Sequence, residues 1–168
     1  NDIANLKESK KYGITGIMQP FVRSARDLII VKKTLDELGL HLKIYAKIEN
    51  MDGFNALEEI LPHCDEVIIA RGDLGNACGL TRLPILQHKI EETCKKYGKP
   101  YMVVTQMLHS MHENEVPTRA EVSDIFHAVY NGANSIMLTG ETAGGKYPVE
   151  AMKYFCDVAN ETMKYKGE

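Results

Sequence analysis

The hydrophobic positions of this chain follow two alternating patterns. Short apolar runs typical of strands predict strands at 14–18, 42–47, 66–70, 101–105 and 135–138. Apolar residues that recur every three or four positions predict helices at 3–12, 24–38, 53–61, 83–97, 119–131 and 149–164. After one short helix, the chain is therefore predicted to contain five consecutive strand–helix units.

Details of the pattern support several helices. In helix 24–38 the apolar stripe is Leu28, Val31, Leu35 and Leu38. Thr118 and Glu121 match a capping box, in which each side chain covers a free backbone N–H at the start of a helix. For the last helix, the expected buried stripe contains Val149, Met152, Cys156, Ala159 and Met163.

The strand–helix alternation is typical of a parallel sheet with crossover helices. Two architectures fit it: an open doubly wound sheet, or an arc of a (β/α)8 barrel, which needs about 250 residues. An open sheet concentrates its site at one switch point, whereas a barrel collects polar residues after every strand. Polar residues here follow nearly every predicted strand, which favours a partial barrel; they are Gln19, Lys47 with Glu49, Arg71 to Asp73, Thr105 with Gln106, and Thr139 to Glu141.

Candidate chemistry is concentrated at the ends of two neighbouring strands. Lys47 and Glu49 are two residues apart, so their side chains leave the same side of the strand. The continuous apolar run 67–70 then ends at Arg71, Gly72 and Asp73. If the strands are parallel neighbours, Lys47, Glu49 and Asp73 converge. Such a group is either a buried ion network or a site for a hard divalent cation beside a lysine aimed at an anionic substrate.

Composition narrows the classes of function. The chain has 168 residues, of which 44% are hydrophobic and 26% charged, enough for one ordinary core. A net charge of -3 without a basic run argues against nucleic acid as a partner, and the apolar runs are too short to span a membrane. The four cysteines show no CxxC spacing and the first residues, which begin at Asn1, show no targeting segment, so a reduced, cytoplasmic setting is expected.

Five motifs in register carry a family resemblance. They are Lys47-Ile48-Glu49-Asn50, Ile69-Ala70-Arg71-Gly72-Asp73-Leu74-Gly75, Thr105-Gln106-Met107-Leu108, Pro117-Thr118-Arg119-Ala120-Glu121-Val122-Ser123-Asp124, and Met137-Leu138-Thr139-Gly140-Glu141-Thr142-Ala143 with Gly145 and Tyr147-Pro148. In order and spacing the chain resembles the pyruvate kinase family over nearly its whole length. The resemblance implies that residues 1–168 are a single unit, the carboxyl-terminal part of the catalytic TIM barrel. The lid and the C-terminal regulatory domain of that family have no counterpart here.

The resemblance also implies a reaction and a site. The family transfers a phosphoryl group from phosphoenolpyruvate to ADP in glycolysis, giving pyruvate and ATP. Lys47 and Thr105 resemble its catalytic residues, and Lys47, Gly72, Asp73 and Thr105 its substrate-binding residues. Glu49 and Asp73 resemble its ligands for Mg²⁺ (or Mn²⁺), and K⁺ is implied for the complete enzyme. A homo-oligomer is also implied, since the family forms tetramers, whereas Arg71 is expected to hold its loop rather than to contact substrate.

Alternatives stay open beside this interpretation. The chain departs from the family pattern at several places, among them Gln19-Pro20, Asn76 to Gly79, His109 and Gly144. A Mg²⁺-dependent carbon–carbon lyase of the related pyruvate-enolate barrels, or an inactive barrel that acts only by binding, would also fit. His109 and His112 are three residues apart and could ligate a metal from one helix face, although the sequence offers no third ligand nearby.

Overall fold

Five parallel strands form one open sheet in the order in which they occur along the chain. The computed structural model describes residues 2–167. The strands are β1 (Gly16–Gln19), β2 (Lys43–Ile48), β3 (Glu66–Ala70), β4 (Tyr101–Val104) and β5 (Ser135–Met137). Each strand pairs with the next, for example Met18 with Tyr45 and Val67 with Tyr101. Because the strand order never reverses in this sheet, the described chain has the topology of a partial α/β barrel and not of a doubly wound sheet.

Helices connect the strands and follow the last one. They are α1 (Asp2–Glu8), α2 (Ala25–Glu37), α3 (Met51–Asn55), α4 (Leu57–Ile60), α5 (Arg71–Cys78), α6 (Leu83–Lys96), α7 (Arg119–Tyr130), α8 (Gly140–Ala143) and α9 (Pro148–Gly167), with 3-10 turns at Leu61–His63 and His109–His112. The capping box of α7 forms as predicted, because Glu121 accepts a hydrogen bond from the Thr118 N–H at 2.8 Å. No helix within residues 2–167 is long and apolar enough to cross a membrane.

The two faces of the sheet differ in what covers them. On β2, Ile44, Ala46 and Ile48 face the helices and join a large core with residues such as Leu28 and Leu35 of α2. The opposite face carries a small cluster built only from strand residues: Ile68, Ala70 and Val104, with Tyr45, Met102 and Met137 packed beside them. The helices that the structure describes therefore cover one face, and Lys47, which alternates with Ala46 and Ile48 along β2, lies on the other.

Helix 53–61 was wrongly predicted as one piece. The structure divides it into α3, α4 and a 3-10 turn that contains Pro62. Asn50 caps α3 by accepting a hydrogen bond from the Gly53 N–H at 2.8 Å, and α3 already ends at Asn55. The early start at Met51 lets Asn50 act as a cap, which ties this helix directly to the end of β2.

The stripe predicted for the last helix was wrong in all but one position. Ala159 packs against the core, but Val149, Met152, Cys156 and Met163 are exposed. Ala151 and Phe155 are the residues that enter the core. Both stripes have helical spacing, so periodicity alone could not choose between them. The stripe of α2 is confirmed, with Leu28 and Leu35 buried and Val31 and Leu38 packed against the core.

Candidate active site

The end of β2 carries a buried ion pair. Lys47 Nζ lies 2.7 Å from Glu49 Oε1, and Glu49 Oε2 accepts a hydrogen bond of 2.7 Å from the Phe21 N–H. Only 3% of Glu49 is exposed, whereas about a quarter of the Lys47 side chain, 26%, reaches solvent. The carboxylate is thus held by one cation and one amide, and the ammonium keeps an open side towards the carboxyl edge of the sheet.

Hydrogen bonds connect the turn after β1 to this ion pair. Phe21 has a left-handed backbone with φ +49°, a conformation that is costly for a residue with a side chain. The next residue, Val22, donates its N–H to the Lys47 carbonyl at 3.3 Å and accepts from the Asn50 side chain at 3.2 Å. These bonds compensate for the strained turn and fix the position of the Phe21 N–H beside Glu49.

Helix α5 begins directly where β3 ends. Asp73 lies in its first turn, exposed, and makes no side-chain hydrogen bond or ion pair within residues 2–167. The Gly72 N–H donates to Thr105 Oγ1 at 2.9 Å. A Cβ added to Gly72 would come no closer than 3.9 Å to Thr105, so the neighbouring protein atoms do not require glycine here. The space beside Gly72 is open to a ligand.

The turn after β4 is strained and clamped. Thr105 and Gln106 both have left-handed backbones, with φ +74° and +54°. Arg71 holds them: its Nη2 donates to the Thr105 carbonyl at 2.6 Å, its Nε to the Val104 carbonyl at 3.2 Å, and its Nη1 pairs with Asp124 at 2.7 Å. The Arg71 side chain is only 10% exposed. Arg71 therefore has a structural role, as predicted, but it holds the loop that carries Thr105 rather than its own, and the pairing with Asp124 was not predicted.

Two carboxylates, one buried and one partly buried, organise the loops after β4 and β5. Glu141, 1% exposed, accepts hydrogen bonds from the Leu108 N–H at 3.3 Å and the Thr139 N–H at 2.9 Å. Glu121 accepts from the N–H and the hydroxyl of Ser110, each at 2.6 Å, in addition to its capping bonds. The sequence marked Glu141 only as polar and Glu121 only as a cap, because neither long-range partner leaves a local signal.

We expect acid to weaken these loops first. Burial raises the pKa of Glu141, but hydrogen bonds from its own N–H, Thr139 and Leu108 outweigh burial and leave that pKa below the ordinary 4.5. Burial likewise raises the pKa of Glu121, and bonds from Ser110 and Thr118 bring it below 4.5. Because the folded-state pKa values are lowered, their stabilisation is fully present above about pH 4.5 and is lost as the pH falls through the folded values. Urea unfolding between pH 7 and pH 3 measures this loss.

The matched variants for this pH test are Glu141→Gln and Glu161→Gln. Glu161 is exposed on α9, with its side chain 73% accessible. In Glu141→Gln, the free energy of unfolding should fall less steeply as the pH is lowered from 7 to 3. In Glu161→Gln, it should fall as in the wild type. If the free energy of unfolding of Glu141→Gln fell with pH as steeply as that of the wild type, Glu141 would not be a source of the acid sensitivity.

The structure brings some predicted site residues together and leaves others apart. Lys47 contacts Glu49, and Gly72 contacts Thr105. Asp73 lies at the same edge of the sheet, in the first turn of the helix that follows the strand next to β2, but its carboxylate does not join the Lys47–Glu49 pair. Within residues 2–167, no three His, Cys, Asp or Glu side chains are grouped to hold a metal ion. A cation at this edge would therefore have at most two carboxylates, with the other positions left to water or substrate.

Comparisons with known proteins identify relatives of this chain. The family model described as "Pyruvate kinase, barrel domain" matches residues 1–152. A pyruvate kinase of Borreliella burgdorferi is 46% identical over 157 residues, which cover 93% of this chain and 33% of the relative. One of Geobacillus stearothermophilus is 41% identical over 162 residues, 96% of this chain and 28% of the relative. The chain thus spans about a third of the length of the curated relatives it matches.

Proposed function

We propose that this chain, which belongs to the pyruvate kinase family through its barrel domain, carries one part of a site that transfers a phosphoryl group from phosphoenolpyruvate to ADP. That part contains the lysine and the carboxylates. The observation that carries this proposal is the Lys47–Glu49 pair, buried at the carboxyl edge of the sheet beside the start of α5. Since the chain spans a third of its relatives, the reaction is proposed for a protein with a complete barrel.

Lys47 is the residue to which we assign charge stabilisation. Phosphoryl transfer needs little covalent help from the protein, so catalysis depends on positioning and on cations near the migrating group. Glu49 fixes the ammonium of Lys47 at 2.7 Å, and Glu49 is itself fixed by the Phe21 turn. The cation is therefore already oriented before substrate arrives, which avoids a reorganisation cost during transfer.

Glu49 and Asp73 fit the cation that the family resemblance implies. Mg²⁺ prefers hard oxygen ligands and is commonly bound by one or two carboxylates, with water and substrate oxygens completing its shell. Two carboxylates on neighbouring strand ends match that donor set, and each Glu49 oxygen keeps a lone pair beyond its present bond. When bound there, Mg²⁺ would neutralise negative charge on the substrate.

Gly72 and Thr105 are proposed to meet the rest of the substrate. The open space beside Gly72 lets a substrate carboxylate approach the backbone at the start of α5. Thr105 Oγ1 accepts from the Gly72 N–H and donates to the Val104 carbonyl at 2.5 Å, so its hydroxyl is held in place. We assign it to the enolate carbon, where a proton arrives through a water relay to give pyruvate.

A chimera tests the reaction. Residues 1–168 would replace the matching segment of the Geobacillus stearothermophilus relative, which supplies the remainder of the barrel. We expect pyruvate release from phosphoenolpyruvate that requires both ADP and Mg²⁺ and yields ATP. Cleavage of a 4-hydroxy-2-oxo acid without ADP would support a lyase instead, and a folded chimera with neither activity would contradict the proposal.

Replacing Asp73 by Asn should weaken binding of the divalent cation. Loss of a negative oxygen ligand is expected to reduce Mn²⁺ affinity by at least about tenfold, since even supporting partners of a metal ligand contribute 10–100-fold. Mn²⁺ electron paramagnetic resonance on the 168-residue chain measures the free ion directly. Asp157→Asn, an exposed aspartate on α9, is the control, and an unchanged Mn²⁺ titration in Asp73→Asn would count against Asp73 as a ligand.

A further inference from the structure

Two histidines lie side by side in the 3-10 turn that follows β4. The ring centres of His109 and His112 are 5.1 Å apart and their planes are tilted by 53°. A 3-10 turn has three residues per turn, so side chains at positions i and i+3 project from the same face. Glu121 anchors this turn through two bonds to Ser110, which holds the backbone that carries both rings.

Within the part of the chain that the structure describes, neither ring of this pair is hydrogen-bonded, although the Nε2 edge of His112 lies against Gly140. Among residues 2–167, His127 is the only histidine whose ring forms a hydrogen bond. His109 is exposed and His112 is partly buried. Neutral imidazole nitrogens bind borderline transition metals such as Zn²⁺ and Cu²⁺, whereas Mg²⁺ prefers oxygen. The chemistry of this pair is therefore distinct from that of the carboxylates assigned to Mg²⁺.

The spacing of the rings also fits shared coordination. With a metal–nitrogen distance of about 2.0–2.1 Å, a tetrahedral metal bonded to one nitrogen of each ring holds the ring centres roughly 5 Å apart. The observed 5.1 Å between the ring centres matches that separation. We propose that His109 and His112 form a two-imidazole site for a divalent transition metal, with water in its remaining positions.

Two protein ligands make this an open, exchangeable site. No third His, Cys, Asp or Glu joins the pair in the described part of the chain, so the site lacks the four protein ligands of a structural zinc centre. A metal there would fix the ring of His112, which lies against Gly140: a Cβ on Gly140 would stand 2.7 Å from His112 Cε1. Occupation of the site would thereby restrain the loop after β5.

Copper resonance spectra test the site. Cu²⁺ binds most tightly of the divalent first-row metals, and its electron paramagnetic resonance spectrum reports how many nitrogens it bonds. At one equivalent of Cu²⁺ the 168-residue chain should show two nitrogens per copper. A large excess of Mg²⁺ should leave the spectrum unchanged, which separates this site from that of Glu49 and Asp73.

Matched histidine variants decide the outcome. His109→Gln and His112→Gln should each lose the two-nitrogen signature, because one imidazole cannot chelate, and the double variant, which lacks both imidazoles, should bind copper most weakly. His127→Gln, on neighbouring α7, should retain the wild-type spectrum, and circular dichroism should show all four variants folded. A wild-type spectrum with one nitrogen, or a two-nitrogen spectrum that persists in both single variants, would overturn the proposal.

Discussion

Replacing Lys47 by methionine is expected to abolish phosphoryl transfer in the chimera while Mn²⁺ still binds. Methionine retains much of the length of the side chain but removes the positive charge near the migrating group. Loss of a cation that stabilises this transition state lowers turnover by about 10³- to 10⁵-fold in comparable enzymes. Steady-state release of pyruvate measures kcat, and Mn²⁺ titration of the same preparation shows whether the carboxylates remain in place.

The same variant should also destabilise the chain itself. Lys47→Met leaves Glu49 buried at 3% exposure with only the Phe21 N–H to offset its charge. Breaking one side of a buried pair costs about 3–5 kcal/mol, and we expect the lower end because the Lys47 side chain is 26% exposed. Urea unfolding of the 168-residue chain measures this change in the free energy of unfolding.

A second substitution separates the electrostatic cause from lost packing. Adding Glu49→Gln to Lys47→Met removes the uncompensated charge, so the double variant should recover much of the lost stability. It should not recover turnover, because the cation is still missing. Near-normal turnover in a folded Lys47→Met chimera would contradict the role of Lys47, and a double variant less stable than the single one would contradict the electrostatic explanation.

The sequence predicted the parts of this molecule that follow a local period. Strand 66–70 is confirmed to the residue as β3, because a strand covered on both faces is a continuous apolar run with sharp polar ends. The two-residue spacing of Lys47 and Glu49 predicted that they share a face, and they form an ion pair. The order of the strands agrees with the barrel interpretation, which rested on the polar residues after each strand.

Features set by tertiary contacts could not be predicted in the same way. The segment Arg71–Cys78 contains two glycines, which disfavour a helix, yet it forms α5. The left-handed backbones of Phe21, Thr105 and Gln106 have no sequence signature, since none is a glycine or an asparagine. Each of these turns is stabilised by a partner distant in sequence, such as Glu49 or Arg71. The residue types of the candidate site could therefore be predicted from the sequence. The geometry of the site could not, because it depends on contacts between strand ends.

Arg71→Met is expected to produce the other large effect, through the turn that carries Thr105. The guanidinium donates to the Thr105 and Val104 carbonyls and pairs with Asp124 while only 10% exposed. Left-handed residues such as Thr105 and Gln106 cost about 1–3 kcal/mol each and persist only when their surroundings hold them. Without the clamp the turn should relax, the Gly72–Thr105 bond should be lost, and stability should fall by about 3–5 kcal/mol.

Two controls identify which contacts of Arg71 matter. Asp124 is about a third exposed, with 34% of its side chain accessible, so Asp124→Asn should cost only about 1 kcal/mol or less. Arg71→Lys keeps a positive charge for Asp124 but lacks the planar fork that reaches both carbonyls, so it should resemble Arg71→Met rather than the wild type. Urea unfolding of the three variants gives the order, and hydrogen exchange at the Gly72 amide reports the turn directly. If Asp124→Asn lowered the free energy of unfolding as much as Arg71→Met, the ion pair with Asp124 would explain the conformation of Thr105. The hydrogen bonds from Arg71 to the Val104 and Thr105 carbonyls would then not be the cause.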